Sequence, residues 1–361
     1  MSLDELRDTL SSIDTRIVEL IAERQQVVAD IGRTKRDAGT GTRDYAREKE
    51  VLDRGRARAD ELGIDPDLAE VVLRQLIRSS LESQERDRVV AEGKGDGRTV
   101  LVIGGAGKMG EWFVDFFASQ GFATTVADAA VEDGPGRFRN WTDAGVDFDV
   151  IVVAAPLAVS GRILAQLAVL KPRGLIFDIG SLKTPLLDGL GELERAGCQV
   201  TSLHPMFGPD TRLLSGRHLI VCDVGCADAT KAAKQLFAST MVEQLDMSLE
   251  DHDRLIAYVL GLSHALNIVF FTALAESGEA APKLARMSST TFDSQLEVSE
   301  AVAHDNPRLY FEIQNLNKFG LGPLEALSEA ADRIRELVAK GDEEGFVELM
   351  QKGRDYFEMR G

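Results

Sequence analysis

The feature that most constrains the fold is a run of glycines between a short apolar segment and an amphipathic one. The sequence VLVIGGAGKMG covers residues 100–110 and places glycines at positions 105, 107 and 110. A G-x-G-x-x-G turn between a strand and a helix lets the backbone approach a pyrophosphate, which the free N–H groups of the helix then bind. We therefore predict that a dinucleotide-binding unit begins near residue 99.

An acidic residue indicates which dinucleotide is bound. Asp128 closes the segment TTVAD, 23 residues after Gly105. A carboxylate at the end of the second strand binds ribose hydroxyls and repels a 2′-phosphate, so NAD is favoured over NADP. The predicted cofactor-binding residues are Gly105, Gly107, Lys108, Met109, Gly110 and Asp128.

The chain after this turn alternates short β-branched runs with helical segments. The runs are TVLVIG, TTVAD, DVIVVAAP, GLIFDIG and CQVTSLH. Alternation of this kind predicts an α/β domain with a doubly wound, Rossmann-like parallel sheet. From about Leu249 the pattern becomes helical and stays so to the C-terminus.

The residues before the glycine turn have a helical periodicity. Apolar residues between positions 6 and 31 recur at spacings of three and four, which predicts a helix longer than thirty residues. Two further helices are expected, from about Asp44 to Leu62 and from about Asp67 to Val90. Three helices make a thin core, which favours a homodimer.

These patterns divide the chain into an all-α domain, a Rossmann-like NAD-binding domain and a second all-α domain. The predicted boundaries are 1–92 for the first helical domain, 93–98 for a glycine-rich linker, 99–246 for the NAD-binding domain and 247–361 for a helical dimerisation and substrate domain.

Composition excludes several classes of partner. The 361 residues carry a net charge of −18, which disfavours nucleic acid because phosphate binding needs a basic patch. No run of about 18 apolar residues stands out, and the acidic N-terminus lacks a signal-peptide core, so we expect a cytoplasmic protein without a membrane partner. Three cysteines without partners at a zinc spacing favour reduced thiols and no metal.

Polar residues follow two of the predicted strands. Ser181 and Lys183 come after GLIFDIG, and His204 ends CQVTSLH. Ligands bind beyond the carboxyl ends of strands in doubly wound sheets. His204 is therefore a candidate base for an NAD enzyme that oxidises an alcohol carbon near neutral pH.

At LHPMFGPD (203–210), GGAGKMG and SLK the sequence resembles the prephenate dehydrogenase family. The resemblance extends through DHDR (251–254), LSHAL (262–266) and DNPRLYFEI (305–313). It implies NAD-dependent oxidation of prephenate with loss of carbon dioxide, which yields 4-hydroxyphenylpyruvate. It also implies that His204 accepts the hydroxyl proton, that Ser181 hydrogen-bonds the same hydroxyl or His204, and that Lys183 and His264 bind substrate.

The first ninety residues resemble the small all-helical chorismate mutase family. LRDTLSSIDTRIVELIAERQQVVADIGRTK, RDYAREKEVL and LIRSSLESQ are similar to its three helices. The positions also suit a dianionic substrate, whose internal rearrangement needs a cationic pocket and no acid or base. Arg24 and Lys35 are eleven residues apart and share a helix face, and Ser80 and Gln84 are one turn apart.

The resemblance assigns a role to each charged or polar position. Arg7, Arg24 and Arg47 bind carboxylates, with Arg7 reaching into the pocket of a second copy. Lys35 and Gln84 hydrogen-bond the ether oxygen, Glu48 holds the substrate hydroxyl, and Asp44 and Ser80 support the site. The two resemblances together imply a bifunctional enzyme of tyrosine biosynthesis that takes chorismate and then prephenate.

One position departs from the dehydrogenase pattern. The family has a carboxylate-anchoring arginine six residues before the proline of the NP motif, and that position is Ala301 here; a second arginine of some members aligns with Asp293. Alanine cannot replace a bidentate arginine. Either Arg212, Arg286 or Arg308 substitutes, or the substrate is arogenate or an amino-substituted prephenate, or this half is weak or regulatory.

Two other classes of protein compete with this interpretation. An NAD-linked hydroxyacid dehydrogenase with an unrelated helical oligomerisation domain would have no activity on chorismate, and it leaves Arg24, Lys35, Glu48 and Gln84 unexplained. A non-enzymatic sensor of aromatic acids and NAD is supported only by the missing arginine at Ala301. Such a protein would bind prephenate without producing NADH.

Overall fold

The structure, a computed structural model, describes residues 1–279 and 281–359. Helices and strands follow one another in the order α1 (Leu3–Asp37), α2 (Tyr45–Glu61), α3 (Pro66–Glu92), β1 (Thr99–Ile103), α4 (Lys108–Ser119), β2 (Ala123–Ala127), β3 (Arg137–Phe138), α5 (Trp141–Ala144), β4 (Val150–Val153), α6 (Leu157–Leu170), β5 (Leu175–Asp178), a 3-10 turn (Thr184–Leu186), α7 (Leu187–Arg195), β6 (Gln199–Pro205), β7 (His218–Cys222), α8 (Ala227–Leu236), β8 (Glu243–Asp246), α9 (Leu249–Ile256), a π-helical segment (Ala257–Leu262), α10 (Ser263–Glu276), α11 (Ala281–Arg286), α12 (Thr290–Ala303), α13 (Pro307–Leu316), α14 (Leu321–Lys340) and α15 (Glu343–Glu358).

The first three helices begin at polar caps. The Ser2 hydroxyl accepts from the Glu5 N–H, and the Glu5 carboxylate accepts from the Ser2 N–H. Asp44 caps α2 by accepting from the Arg47 N–H at 3.0 Å, and Pro66 opens α3. The long first helix is confirmed, and the other two helices start and end within two residues of the expected positions.

The strands form one sheet in the order β3-β2-β1-β4-β5-β6-β7-β8. All five strands expected from sequence are present, and the Rossmann-like doubly wound arrangement is confirmed. The five expected strands are parallel, and the sheet is extended by strands that the sequence did not indicate, of which β7 pairs antiparallel with β6. A parallel return needs a crossover, usually helical, whereas residues 206–217 between these strands contain no helix.

The centre of the sheet is apolar on both faces. Every residue of β4 and β5 is buried, as expected of parallel strands covered by helices on both sides. Phe113 of α4 packs against Phe177 of β5 and against Phe237, with ring centroids 6.1 and 6.3 Å apart. This packing holds the glycine turn at the start of α4 against the carboxyl end of β1.

The predicted linker is an ordered junction. The Gly95 N–H donates to the Gln120 carbonyl at 2.9 Å, and a Cβ on Gly95 would lie 2.2 Å from the carbonyl carbon of Gly121. The close backbone approach therefore requires glycine. The first three helices and the sheet belong to one compact unit, made of residues 1–155, 163–179 and 190–246.

The second compact unit consists of residues 156–162, 180–189 and the chain from 247 onward. Its segment Leu249–Glu276 is helical over 28 residues and, by length and composition alone, apolar enough to cross a membrane. The sequence expectation overlooked it because Ser263, His264 and Asn267 interrupt the apolar run. The core helix of a soluble protein has the same composition, and the Asn267 Oδ1 accepts from the buried Ser299 hydroxyl of α12 at 2.8 Å.

A buried carboxylate joins α3 to the sheet within the first unit. Glu85 is 3% exposed, and its Oε2 accepts from the Leu214 N–H at 2.7 Å while its Oε1 accepts from the Met241 N–H. Burial raises the pKa of Glu85, and these two hydrogen bonds offset only part of that effect. The folded protein therefore binds a proton at Glu85 more tightly than the unfolded chain does.

We predict that Glu85 makes stability fall as pH rises. Its contribution is fully present below the ordinary pKa of 4.5 and is lost as pH rises through the higher folded-state pKa. Glu85→Gln removes the titration, so the free energy of unfolding of the wild type minus that of the variant should fall between pH 4 and 7. Urea unfolding at several pH values measures it, and a difference independent of pH would contradict the prediction.

Candidate functional sites: a cationic helical cavity and a dinucleotide turn

A small cavity between α1, the loop after it and α3 brings predicted mutase residues together. Lys35 and Gln84 both line it. The Lys35 Nζ donates to the Thr42 carbonyl at 2.7 Å, and the Gln84 Nε2 donates to the Val28 carbonyl at 3.2 Å. The full lining is Gly32, Lys35, Arg36, Thr40, Thr42, Gln84 and Arg88.

Sequence reasoning missed the cavity residues Arg36, Thr42 and Arg88. Arg88 stands one turn after Gln84 on α3, so helical spacing could have identified it. Its Nη1 donates to the Thr42 hydroxyl at 3.3 Å, and Thr42 is buried. The cavity thus holds three basic residues with Lys35 among them, which suits an anionic ligand.

Arg24 and Ser80, two further predicted site residues, contact each other across α1 and α3. Arg24 donates to the Leu76 carbonyl at 3.0 Å and to the Ser80 hydroxyl, which donates in turn to Leu76 at 2.6 Å. Burial lowers the pKa of Arg24, yet a guanidinium remains protonated at any physiological pH. The arginine is therefore a fixed positive charge on the α1–α3 surface.

Glu48 and Asp44 stand at the start of α2. The Glu48 carboxylate accepts two hydrogen bonds from Arg43, at 2.8 and 2.9 Å, in a bidentate pair. Asp44 is the N-cap of the helix and so sets the start of α2. Arg43 is a further residue that sequence reasoning missed.

Arg47 and Arg7 do not line the cavity of their own chain. The Arg47 Nη1 donates to Glu50 at 2.6 Å, and Arg7 pairs with Asp4 at 3.3 Å on an exposed turn. Arg7 precedes Arg24 by seventeen residues, or about 26 Å along α1. It cannot reach the cavity that its own α1 lines.

The glycine turn after β1 has the geometry predicted for a dinucleotide. A Cβ on Gly110 would lie 2.1 Å from the Gly104 oxygen, and one on Gly105 would lie 2.9 Å from the Val102 oxygen. Gly104 has a φ of +87°, which favours glycine, and sequence reasoning did not single it out. Gly107 is the N-cap of α4, so the free N–H groups beginning at Lys108 and Met109 open the helix beside this turn.

Asp128 follows β2 and contacts the glycine turn directly. Its Oδ2 accepts from the Ala106 N–H at 3.2 Å and its Oδ1 from the Ala130 N–H at 2.9 Å. A carboxylate fixed beside the glycine turn fits the ribose hydroxyls of NAD. Gly105, Gly107, Gly110 and Asp128 would hold the cofactor.

His204 lies at the same edge of the sheet as the glycine turn. It is the penultimate residue of β6, 4% exposed, opposite Ile220 of β7. Because β1, β4, β5 and β6 are parallel, their carboxyl ends meet at one edge, and β6 is three strand spacings, about 14 Å, from β1.

In the second unit, Lys183 and its loop are held by a buried aspartate. Asp253 accepts from the Lys183 N–H at 2.8 Å and from Thr184, and it contacts the His252 ring at 2.8 Å. Burial alone would raise the pKa of Asp253, but these hydrogen bonds together lower it. The Lys183 Nζ donates to the Gly180 carbonyl at 2.8 Å.

Two predicted site residues of the second unit each have a buried polar atom that makes no hydrogen bond within the described part of the chain. Within residues 1–279 and 281–359, the buried Ser181 Oγ and His264 Nδ1 lack a hydrogen-bond partner. The His264 ring stacks on Tyr310 with centroids 4.1 Å apart. Burial lowers the pKa of His264 more than nearby Asp305 raises it, so the ring is neutral at pH 7.

At position 301, where the dehydrogenase family has a carboxylate-anchoring arginine, this chain has an exposed alanine. Ala301 lies in the last turn of α12, and Asp293 lies in its first turn, where it accepts from the Ser288 hydroxyl. The three candidate replacements, Arg212, Arg286 and Arg308, are all exposed.

These features define an NAD-dependent oxidoreductase joined to a helical domain with a cationic cavity. Residues 6–85 match the chorismate mutase type II family. Residues 124–243 match the nucleotide-binding domain of prephenate dehydrogenase, and residues 248–352 match its dimerization domain.

Relatives agree over most of the chain. A T-protein of Enterobacter agglomerans is 27% identical over 98% of this chain and 93% of its own length. The 4-amino-4-deoxyprephenate dehydrogenase of Streptomyces pristinaespiralis is 30% identical over 70% of this chain and 89% of its own length. A crystal structure of A. aeolicus prephenate dehydrogenase, with hydroxyphenyl propionate and NAD+ bound, shares the fold at a TM-score of 0.59 and 18% identity, covering 73% of this chain and 98% of that one.

The chain belongs to the prephenate dehydrogenase family and carries a type II chorismate mutase domain ahead of it. The sequence prediction of a bifunctional tyrosine-biosynthesis enzyme, an isomerase and an NAD-dependent oxidoreductase, is thereby confirmed. The rival of a hydroxyacid dehydrogenase with an unrelated helical domain is excluded.

We predict that Gly110→Ala weakens NADH binding about 10- to 100-fold, because the added Cβ collides with the Gly104 backbone and displaces the turn. Gly191→Ala is the control, since its Cβ would meet no atom within 4 Å. Fluorescence titration with NADH measures both, and equal affinities would refute the role of the turn.

Proposed function

We propose how each half of the enzyme works. The helical domain converts chorismate to prephenate, and the remainder oxidises prephenate with loss of carbon dioxide. The observation that carries the first assignment is the cavity in which Lys35 and Gln84 meet beside Arg88. A dianion that rearranges internally is accelerated by fixed donors and cations in a shielded site.

In this proposal, Arg24 binds a substrate carboxylate while Lys35 and Gln84 hydrogen-bond the ether oxygen as its bond breaks. Glu48 holds the substrate hydroxyl. Ser80 supports Arg24 through their hydrogen bond, and Asp44 caps the helix that carries Glu48 and Arg47. Arg47 would exchange its exposed contact with Glu50 for a substrate carboxylate.

We infer that a second copy completes this site. The α1 stripe Leu6, Leu10, Ile13 and Ile17 is 46–59% exposed, which is costly for a single chain in water. A second α1 packed along this stripe would cover it and bring its Arg7 to the cavity. The match of residues 248–352 to a dimerization domain also supports a homodimer.

In the dehydrogenase half, bound NAD would take the hydride from the hydroxyl-bearing ring carbon. His204 accepts the hydroxyl proton, which a neutral imidazole can do near pH 7. Ser181 hydrogen-bonds the hydroxyl, and Lys183 and His264 bind the substrate. Loss of carbon dioxide makes the ring aromatic and supplies most of the driving force, so the protein mainly orients its ligands.

The second substrate has one specific alternative. Ala301 removes the family arginine, and a relative with 30% identity is a 4-amino-4-deoxyprephenate dehydrogenase. An amino-substituted prephenate, or arogenate, is therefore the competing substrate. For prephenate itself, one of the exposed arginines Arg212, Arg286 and Arg308 would have to bind the carboxylate.

We place the soluble enzyme in the cytoplasm.

The first test is incubation of the protein with chorismate, with and without NAD, and identification of products by mass spectrometry. The proposal expects prephenate without NAD, and hydroxyphenylpyruvate with NADH when NAD is present. Prephenate that accumulates in both tubes would favour the amino-substituted substrate. That compound would then be added to the same enzyme with NAD. If prephenate binds but neither it nor the amino-substituted compound is oxidised, a sensor is favoured. If chorismate remains unchanged, the mutase assignment is refuted.

We predict that Lys35→Gln lowers the mutase kcat by about 10²- to 10³-fold, because the variant loses the cation that faces the developing charge. Lys49→Gln, an exposed lysine on α2, is the matched control and should retain wild-type turnover. Chorismate consumption measures both, and similar rates would count against the cavity as the site.

We predict that His204→Asn lowers prephenate oxidation by about 10²- to 10⁴-fold, since the hydroxyl proton then has no base. NADH affinity should stay near wild type. The control is His218→Asn, which changes a half-exposed histidine 3.3 Å from Glu243 on the neighbouring strands. NADH production measures turnover, and retention of activity in His204→Asn would refute its role as base.

A further inference from the structure

Arg43 makes three directed contacts at the boundary between the helical domain and the sheet. Its Nε and Nη2 donate to the two oxygens of Glu48 at 2.8 and 2.9 Å, and its Nη1 donates to the Ser215 hydroxyl at 2.8 Å. Its guanidinium also lies 4.2 Å from the centre of the Tyr45 ring. Four contacts on one planar group leave the arginine a single orientation.

The bidentate pair with Arg43 fixes the position of the Glu48 carboxylate and leaves some of its acceptor sites available. A carboxylate has about four lone-pair sites, and the bidentate pair occupies two of them. The other two stay available to a ligand hydroxyl. The guanidinium therefore determines where Glu48 can accept a hydrogen bond, although neither Arg43 nor Glu48 is among the residues that line the cavity.

Ser215 belongs to the loop 206–217, which starts two residues after His204. This loop is held at three further points: the Met206 N–H donates to the His218 carbonyl at 2.9 Å, the Trp112 Nε1 donates to the Thr211 carbonyl at 3.0 Å, and Glu85 accepts from the Leu214 N–H at 2.7 Å. Ser215 is consequently a fixed acceptor for Arg43.

We propose that Arg43 is a positioning residue of the mutase reaction, held by Ser215 of the dehydrogenase half, so that the loop after His204 forms part of the mutase site. The inference rests on the proposed role of Glu48 as the acceptor for the substrate hydroxyl. That hydroxyl is not on the breaking bond, so its hydrogen bond is equally strong in the ground state and the transition state. Loss of such uniform binding raises KM and leaves kcat unchanged.

The experiment measures mutase kcat and KM for full-length variants at positions 43, 48, 56 and 215. Arg43→Lys keeps the positive charge but loses the planar guanidinium that makes the bidentate contact. It should raise KM about tenfold with kcat near wild type. Ser215→Ala should raise KM about fivefold, the equivalent of one hydrogen bond, and Ser215→Thr, which keeps a hydroxyl, should restore it.

The matched control is Arg56→Lys. Arg56 also bridges two elements of the helical domain, donating at 2.7 Å to Asp67 and to Glu70, but neither of these carboxylates has a proposed part in binding the substrate. Its KM should equal that of the wild type. Glu48→Gln should raise KM. The double variant Glu48→Gln with Arg43→Lys should raise KM by less than the product of the two single increases, because the pair acts as a unit.

The outcomes separate this inference from the proposed function. If the wild type and Arg56→Lys leave chorismate unchanged, the mutase assignment itself fails. If they are active while Arg43→Lys or Ser215→Ala keeps the wild-type KM, the positioning role fails alone. If kcat falls at constant KM in step with a lower midpoint of thermal unfolding, Arg43 is merely structural and the inference is wrong.

Discussion

Parallel pairing of the central strands decides where chemistry can occur in this chain. Because β1, β4, β5 and β6 run in one direction, the glycine turn and His204 fall at the same edge of the sheet. The single antiparallel step to β7 then turns the chain back. The loop 206–217 created by that reversal lies against the first helices, which ties Arg43 and its partner Glu48 to the strand that carries His204.

The parts of this architecture that are encoded locally could be predicted from sequence. The apolar spacing of α1 and the glycine turn each depend on residues close together in the chain, so the long helix and the dinucleotide unit were identified correctly. The antiparallel β7 depends on pairing between distant residues, and no local pattern distinguishes it from a parallel strand. The helix from Leu249 to Glu276 was expected, but its long apolar stretch was overlooked because Ser263, His264 and Asn267 interrupt it.

The candidate site was predictable to a similar degree. Lys35 and Gln84 line one cavity, which family positions on two different helices could indicate, whereas the hydrogen bond from Arg24 to Ser80 was not anticipated. The contacts of Arg43 could not be foreseen because its partner Ser215 lies 172 residues away in the chain, whereas the one-turn spacing of Arg88 from Gln84 could have pointed to Arg88. Arg7 is the reverse case, because the family resemblance gives it a role in a site and the structure places it too far from the cavity of its own chain to reach it.

The packed junction at Gly95 bears on how such a double enzyme can be divided. A gene cut at the apparent linker would leave each piece with an unfinished surface: a buried carboxylate at Glu85 on one, and the amides of Leu214 and Met241 without their acceptor on the other. The first three helices and the sheet look modular in sequence, but in this chain they share one compact unit, so neither can be lifted out without exposing polar groups that the other now satisfies.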